Sequence, residues 1–133
     1  MRSYFESVVR TIASFGPVNK IEVLRYDLAE TDEKEILIYR LRLHLKDGGM
    51  VEVMERATKP QEGGLISSTK YRVHWQRADG CVVKRWDNAP HHPEVPTYPH
   101  HVHSDKEDRV APSDHLNVLH ILEEIVAHSL ESP

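Results

Sequence analysis

Between Ile36 and Lys46 the side chains change character at every step: Leu37, Tyr39, Leu41, Leu43 and Leu45 alternate with Ile38, Arg40, Arg42, His44 and Lys46. An extended strand sends successive side chains to opposite faces, so this period of two demands a strand with one buried face and one largely basic face. Such a strand needs paired neighbours and a layer over its leucines. Asp47-Gly48-Gly49 marks a tight turn into a further strand from Met50 to Ala57, and Pro60 to Gly64 forms a longer polar connection. Asp79-Gly80, between runs rich in Val, Tyr and Trp, is a hairpin signal, because both central positions of a type I′ turn take positive φ. Upstream, Asn19 to Ala29 reads as a strand through Ile21, Val23, Tyr26 and Leu28. Connections this short favour an antiparallel meander over a crossover sheet.

Two helices frame these strands. Phe5, Val8, Val9, Ile12 and Phe15 recur at helical spacing over residues 3–15 until Gly16-Pro17 stops them. Leu116, Leu119, Leu122, Ile125, Val126 and Leu130 form a second apolar stripe, with Ser113 or Asp114 as its expected N-cap. The order α-β-β-β-β-β-α predicts an α+β fold: a five-stranded antiparallel meander sheet with an N-terminal and a C-terminal helix, as one domain over residues 1–133.

Composition narrows the class. Hydrophobic residues at 39% and charged residues at 29% fit a packed soluble domain. The sequence holds no apolar run near the roughly 18 residues of a membrane span, and its opening residues lack a signal-peptide core. With Cys81 as the single cysteine there is no internal disulfide framework, and a reducing cytoplasm is the expected home. The net charge of −4 gives no general attraction to nucleic acid, but from Ser68 to His103 five Lys/Arg oppose three acids. That segment is locally basic.

The same segment carries the chemistry. It holds six of the ten histidines, and His91, His92, His100, His101 and His103 fall among Pro90, Pro93, Pro96 and Pro99, which keep the backbone out of a helix. If Asp79-Gly80 is a two-residue turn, Ala78 faces Cys81, His74 pairs with Arg85 and Arg72 with Asp87. One face then carries Arg72, His74, Gln76, Arg85 and Asp87, and the other Tyr71, Val73, Trp75, Val82 and Trp86. A three-residue turn with a bulge would instead set Arg77 opposite Cys81. The first register separates polar from apolar more cleanly and delivers His91 and His92 to the lip of the polar face.

Imidazole exchanges a proton near neutral pH, and guanidinium groups hold phosphate. Metal-free RNA cleavage needs such parts, so His91 and His101 are expected to transfer protons, with His74, His92, His100 and His103 as further candidates. Arg72, Arg85 and Lys84 are the candidates for phosphate or RNA binding, and Asp87 for orienting a histidine. No cofactor is required. The alternative is a divalent metal held by His91, His92, His101 and His103, as in a metal-dependent hydrolase or a metal-binding protein, although the spacing fits none of the common zinc patterns. A loop that only binds a partner, without chemistry, is the third reading.

The run His74-Trp75-Gln76, a tight turn, Arg85-Trp86-Asp87-Asn88-Ala89-Pro90-His91-His92, then Pro99-His100-His101-Val102-His103 and a final apolar helix resembles the TumE-like toxins of prokaryotic toxin–antitoxin modules. The resemblance is most specific over Tyr71 to His103. It implies a small cytoplasmic toxin that arrests growth when free and is neutralised by a cognate antitoxin, typically a helix-turn-helix protein. RNA is the expected substrate, and a homo-oligomer is compatible with such a protein.

Overall fold

The structure, a computed structural model, describes residues 1–104, 109–115 and 117–131. Helix α1 (Arg2–Ala13) leads into β1 (Val18–Glu30), β2 (Lys34–Leu45), β3 (Met50–Pro60), β4 (Ser67–Gln76), β5 (Val82–Asp87), β6 (His101–Ser104) and β7 (Arg109–Pro112), and α2 (Val118–Glu131) follows. The strands lie side by side in chain order, every neighbouring pair antiparallel. The fold is the expected α+β meander with a helix at each end, and its sheet has seven strands instead of five. The two added strands come from the segment read as loop and polar linker. Val102 between His101 and His103 supplies one step of alternation, and it pairs with Trp86 on the otherwise open edge of β5.

The alternation of β2 sets the two faces. Leu37, Tyr39, Leu41 and Leu43 are essentially inaccessible and pack with Val51, Val53, Tyr71, Val73, Trp75 and Trp86 from the neighbouring strands. Both helices cover this side, α1 through Val8 and Ile12 and α2 through Val118, Ile121, Leu122 and Ile125. Burying each such large side chain contributes about 1.5–3 kcal/mol, and this layer holds nearly all of the large buried apolar side chains among the described residues. Leu116 and the Leu130 side chain, both expected in the stripe, lie outside the described residues. The polar start of α2 also differs from expectation. Asn117 Oδ1 accepts the His120 N–H at 3.0 Å, whereas Ser113 closes a local turn with His115. Among the described residues no helix is long and apolar enough to cross a membrane.

Among the described residues, no helix covers the opposite face of the sheet. The β4–β5 hairpin that borders it combines both registers considered above. Arg77 N–H donates to the Cys81 carbonyl at 2.9 Å and Gly80 takes φ 88°, so the loop has three residues. A register shift between Trp75 and Gln76 then absorbs one residue of β5, which restores the pairs His74↔Arg85 and Arg72↔Asp87. The cost falls on Val82, expected in the core and found 36% exposed, while Val83 packs against the core in its place.

Candidate active site

Beyond β5, two side chains bend the backbone. Asp87 Oδ1 accepts the Ala89 N–H at 3.0 Å, and Asn88 Oδ1 accepts the Tyr71 N–H at 3.0 Å, which fastens the end of the hairpin. The loop then makes successive tight turns, with N–H to carbonyl bonds from Val95 to His92, Tyr98 to Val95 and His100 to Thr97. The chain returns as β6, and the pairs Asp87↔His101 and Arg85↔His103 place both histidines on the uncovered face.

There they meet the charges of β4 and β5. Asp87 and His101 are both buried, 8% and 2% exposed, and His101 Nε2 lies 3.0 Å from Asp87 Oδ1. His101 Nδ1 is 2.9 Å from the Pro99 carbonyl, which can only accept, so that nitrogen carries a proton. His103 Nε2 and Arg85 Nε lie 3.9 and 3.7 Å from Asp87 Oδ2. Among the described residues, His103 Nδ1 and Arg85 Nε are buried without a hydrogen-bond partner. Burial, and then the Arg85 charge, hold His103 below the usual histidine range, with Asp87 opposing. This favours its neutral form. His92 completes the cluster, its ring 5.0 Å from that of His101 and 5.5 Å from that of His103. A cavity of about 410 Å³ opens over these groups, lined by Arg72, Arg85, Asp87, His91, His92, His101 and His103 together with Lys70 and Met54.

Three expected residues stand elsewhere. His100 turns to the helix side, where Tyr71 stacks on its ring and its Nδ1 lies 2.8 Å from the Tyr71 hydroxyl. Burial, with Asp87 nearby, pushes that hydroxyl up to about 12. Lys84 faces α2 and pairs with Glu124 at 3.1 Å. His74 sits 3.1 Å from Gln76 Oε1, one strand away from the cluster.

His74 instead borders a groove of about 570 Å³ that shares Lys70, Arg72 and Met54 with the histidine cavity. Arg25, Arg40, Arg56, Lys70 and Arg72 line it against a single acid, Glu52, which Arg42 holds at 2.6 Å. Arg25, Arg40, Arg56 and Lys70 were not anticipated as site residues. The basic face of β2 hinted at the groove, but its completion needs the pairs Arg40↔Met54 and Arg56↔Lys70 across three strands.

The whole is a small α+β protein with a histidine–aspartate cluster at the end of an open cationic sheet face. A family described as Toxin TumE matches residues 11–130, and the chain belongs to this toxin family. It is thus the toxin component of a toxin–antitoxin module, with an antitoxin as its implied partner. Among curated proteins and solved structures, no match was found.

Proposed function

We propose that the toxin is an endoribonuclease that needs no metal for the chemical step. The observation that carries this reading is the position of the histidine–Asp87 cluster beside Arg72 and Arg85, at the end of the cationic groove. An RNA strand lies in the groove with its phosphates against Arg56, Lys70 and Arg72, and the scissile phosphate sits over Arg72 and Arg85. His103, in its favoured neutral form, takes the proton of the 2′-hydroxyl as its oxygen attacks phosphorus. His92, in its protonated form, gives a proton to the departing 5′-oxygen, leaving a 2′,3′-cyclic phosphate and a 5′-hydroxyl. His91, exposed at the rim, contacts the flanking nucleotide. His101 is too buried to touch substrate and acts as a positioning residue, holding Asp87 and with it Arg85. An antitoxin of helix-turn-helix type neutralises the protein by covering this face.

The test is cleavage of a defined RNA by tag-free protein, with and without EDTA, alongside His92→Ala and His103→Gln. Cleavage that survives EDTA and falls at least about 100-fold in both variants agrees with acid–base catalysis. Full activity in both variants, or cleavage abolished by EDTA, would remove these roles.

A further inference from the structure

Three imidazoles converge in the same cavity. His92 comes from the loop after β5 and His101 and His103 from β6, and one ligand nitrogen of each lies within 4.8 Å of the others. Two of the rings already have their outer nitrogen engaged as metal-bound histidines do. His101 Nδ1 donates to the Pro99 carbonyl at 2.9 Å, and His92 Nδ1 lies 3.2 Å from Glu94 Oε1. A carbonyl or carboxylate acceptor fixes the proton on Nδ1 and leaves Nε2 as the lone-pair donor. His101 Nε2 then faces Asp87 Oδ1 at 3.0 Å, and Asp87 Oδ2 is 3.9 Å from His103 Nε2. Two lone pairs at such a distance need a cation between them, either a proton or a metal.

We infer that His92, His101 and His103, with Asp87 as fourth donor, bind one transition-metal ion of the zinc class. Three imidazoles and one carboxylate suit zinc, cobalt or nickel and disfavour calcium and magnesium, which prefer all-oxygen sites. Tetrahedral bonds of about 2.0–2.1 Å set donor atoms about 3.3 Å apart, so nitrogens within 4.8 Å of one another close on an ion by small side-chain rotations. Arg85 lies 3.7 Å from the same carboxylate and opposes a second cation there. The ion takes the nitrogens that the proposed proton transfers use, so metal occupancy switches cleavage off. That regulatory half rests on the ribonuclease reading, and the site does not.

The experiment titrates tag-free, chelator-dialysed full-length protein with Co²⁺ and follows the visible absorption of the bound ion, then displaces it with Zn²⁺. One ion per chain with the intense band of four-coordinate cobalt is expected. Binding should weaken by about tenfold or more in His92→Ala and His103→Gln, with unchanged circular dichroism, and hold in His74→Ala and His91→Ala. Arg85→Gln should bind the ion more tightly. A weak six-coordinate spectrum, or equal losses in His91→Ala and His92→Ala, overturns the site. Cleavage is then read at graded Zn²⁺ and should fall as the site fills. Cleavage at full rate, or only, with the site filled would overturn the switch and the proton roles of His92 and His103, while the cobalt band would still report the site.

Discussion

The cationic groove makes a quantitative claim about salt. Of its lining cations, Arg25 pairs with Asp27 and Arg40 leans on Glu52 at 3.8 Å. Arg56, Lys70 and Arg72 have no carboxylate within ion-pairing distance among the described residues, and Arg85 at the site shares Asp87. If the proposed RNA strand lies here, three to four phosphates would be neutralised on binding. Each contact to a single strand contributes about −0.7 to the slope of log K against log salt, which gives a slope of roughly −2 to −3. Raising salt fourfold should then weaken binding by about 20- to 50-fold. Arg56→Gln combined with Lys70→Gln should lower the slope by about 1.4 while leaving the fold unchanged. The Arg56 contact to Thr69 is an exposed hydrogen bond at 2.9 Å, so the double variant tests the charge with little structural disturbance. Fluorescence anisotropy of a labelled, non-cleavable RNA across a salt series measures this directly. A slope near zero in the parent, or the same slope in the double variant, would refute the groove as the place where the strand lies.

Three further outcomes are expected. A substrate with a 2′-deoxy sugar at the scissile position should bind with the parent salt slope and remain uncut, because it lacks the nucleophile; gel analysis of the product decides this, and cutting would exclude the 2′-hydroxyl route. Glu55 is 1% exposed and accepts from the Tyr4 and Tyr39 hydroxyls at 2.7 and 2.8 Å, so Tyr39→Phe should cost about 1–3 kcal/mol in urea unfolding. Burial opposes the charged form of Glu124, but hydrogen bonds from His115 and Lys84 outweigh it and hold the carboxyl below the usual glutamate range. Its stabilising effect is present above the unfolded value of about 4.3 and fades as pH falls through the folded one, so Glu124→Gln should flatten the stability loss below that point.

The period of two in β2 and the helical stripes were legible because each carries five or more repeats of a single signal. The pairing of Arg72 with Asp87 could also be read from the hairpin, although the turn and bulge that produce it could not. Both hairpin registers satisfy local chemistry, and the bulge that combines them, with Val83 packed against the core in place of Val82, leaves no mark in the local pattern. The strand at His101–Ser104 is too short for a pattern, since four residues offer a single alternation. The density of histidines marked the region but not its geometry. His100, the last loop residue, and His101, the first residue of β6, are adjacent in sequence yet turn apart, one to the Tyr71 ring and one to Asp87. The groove was hidden because its cations come from four separate strands.

Because each strand pairs only with its neighbours in the chain, the sheet can grow by adding hairpins in order from β1, without waiting for distant partners. The cationic groove needs only β1 to β4, whereas the imidazoles take their places once β6 has found β5. On that route the proposed RNA-holding surface would be complete before the proposed proton-transfer groups are in place.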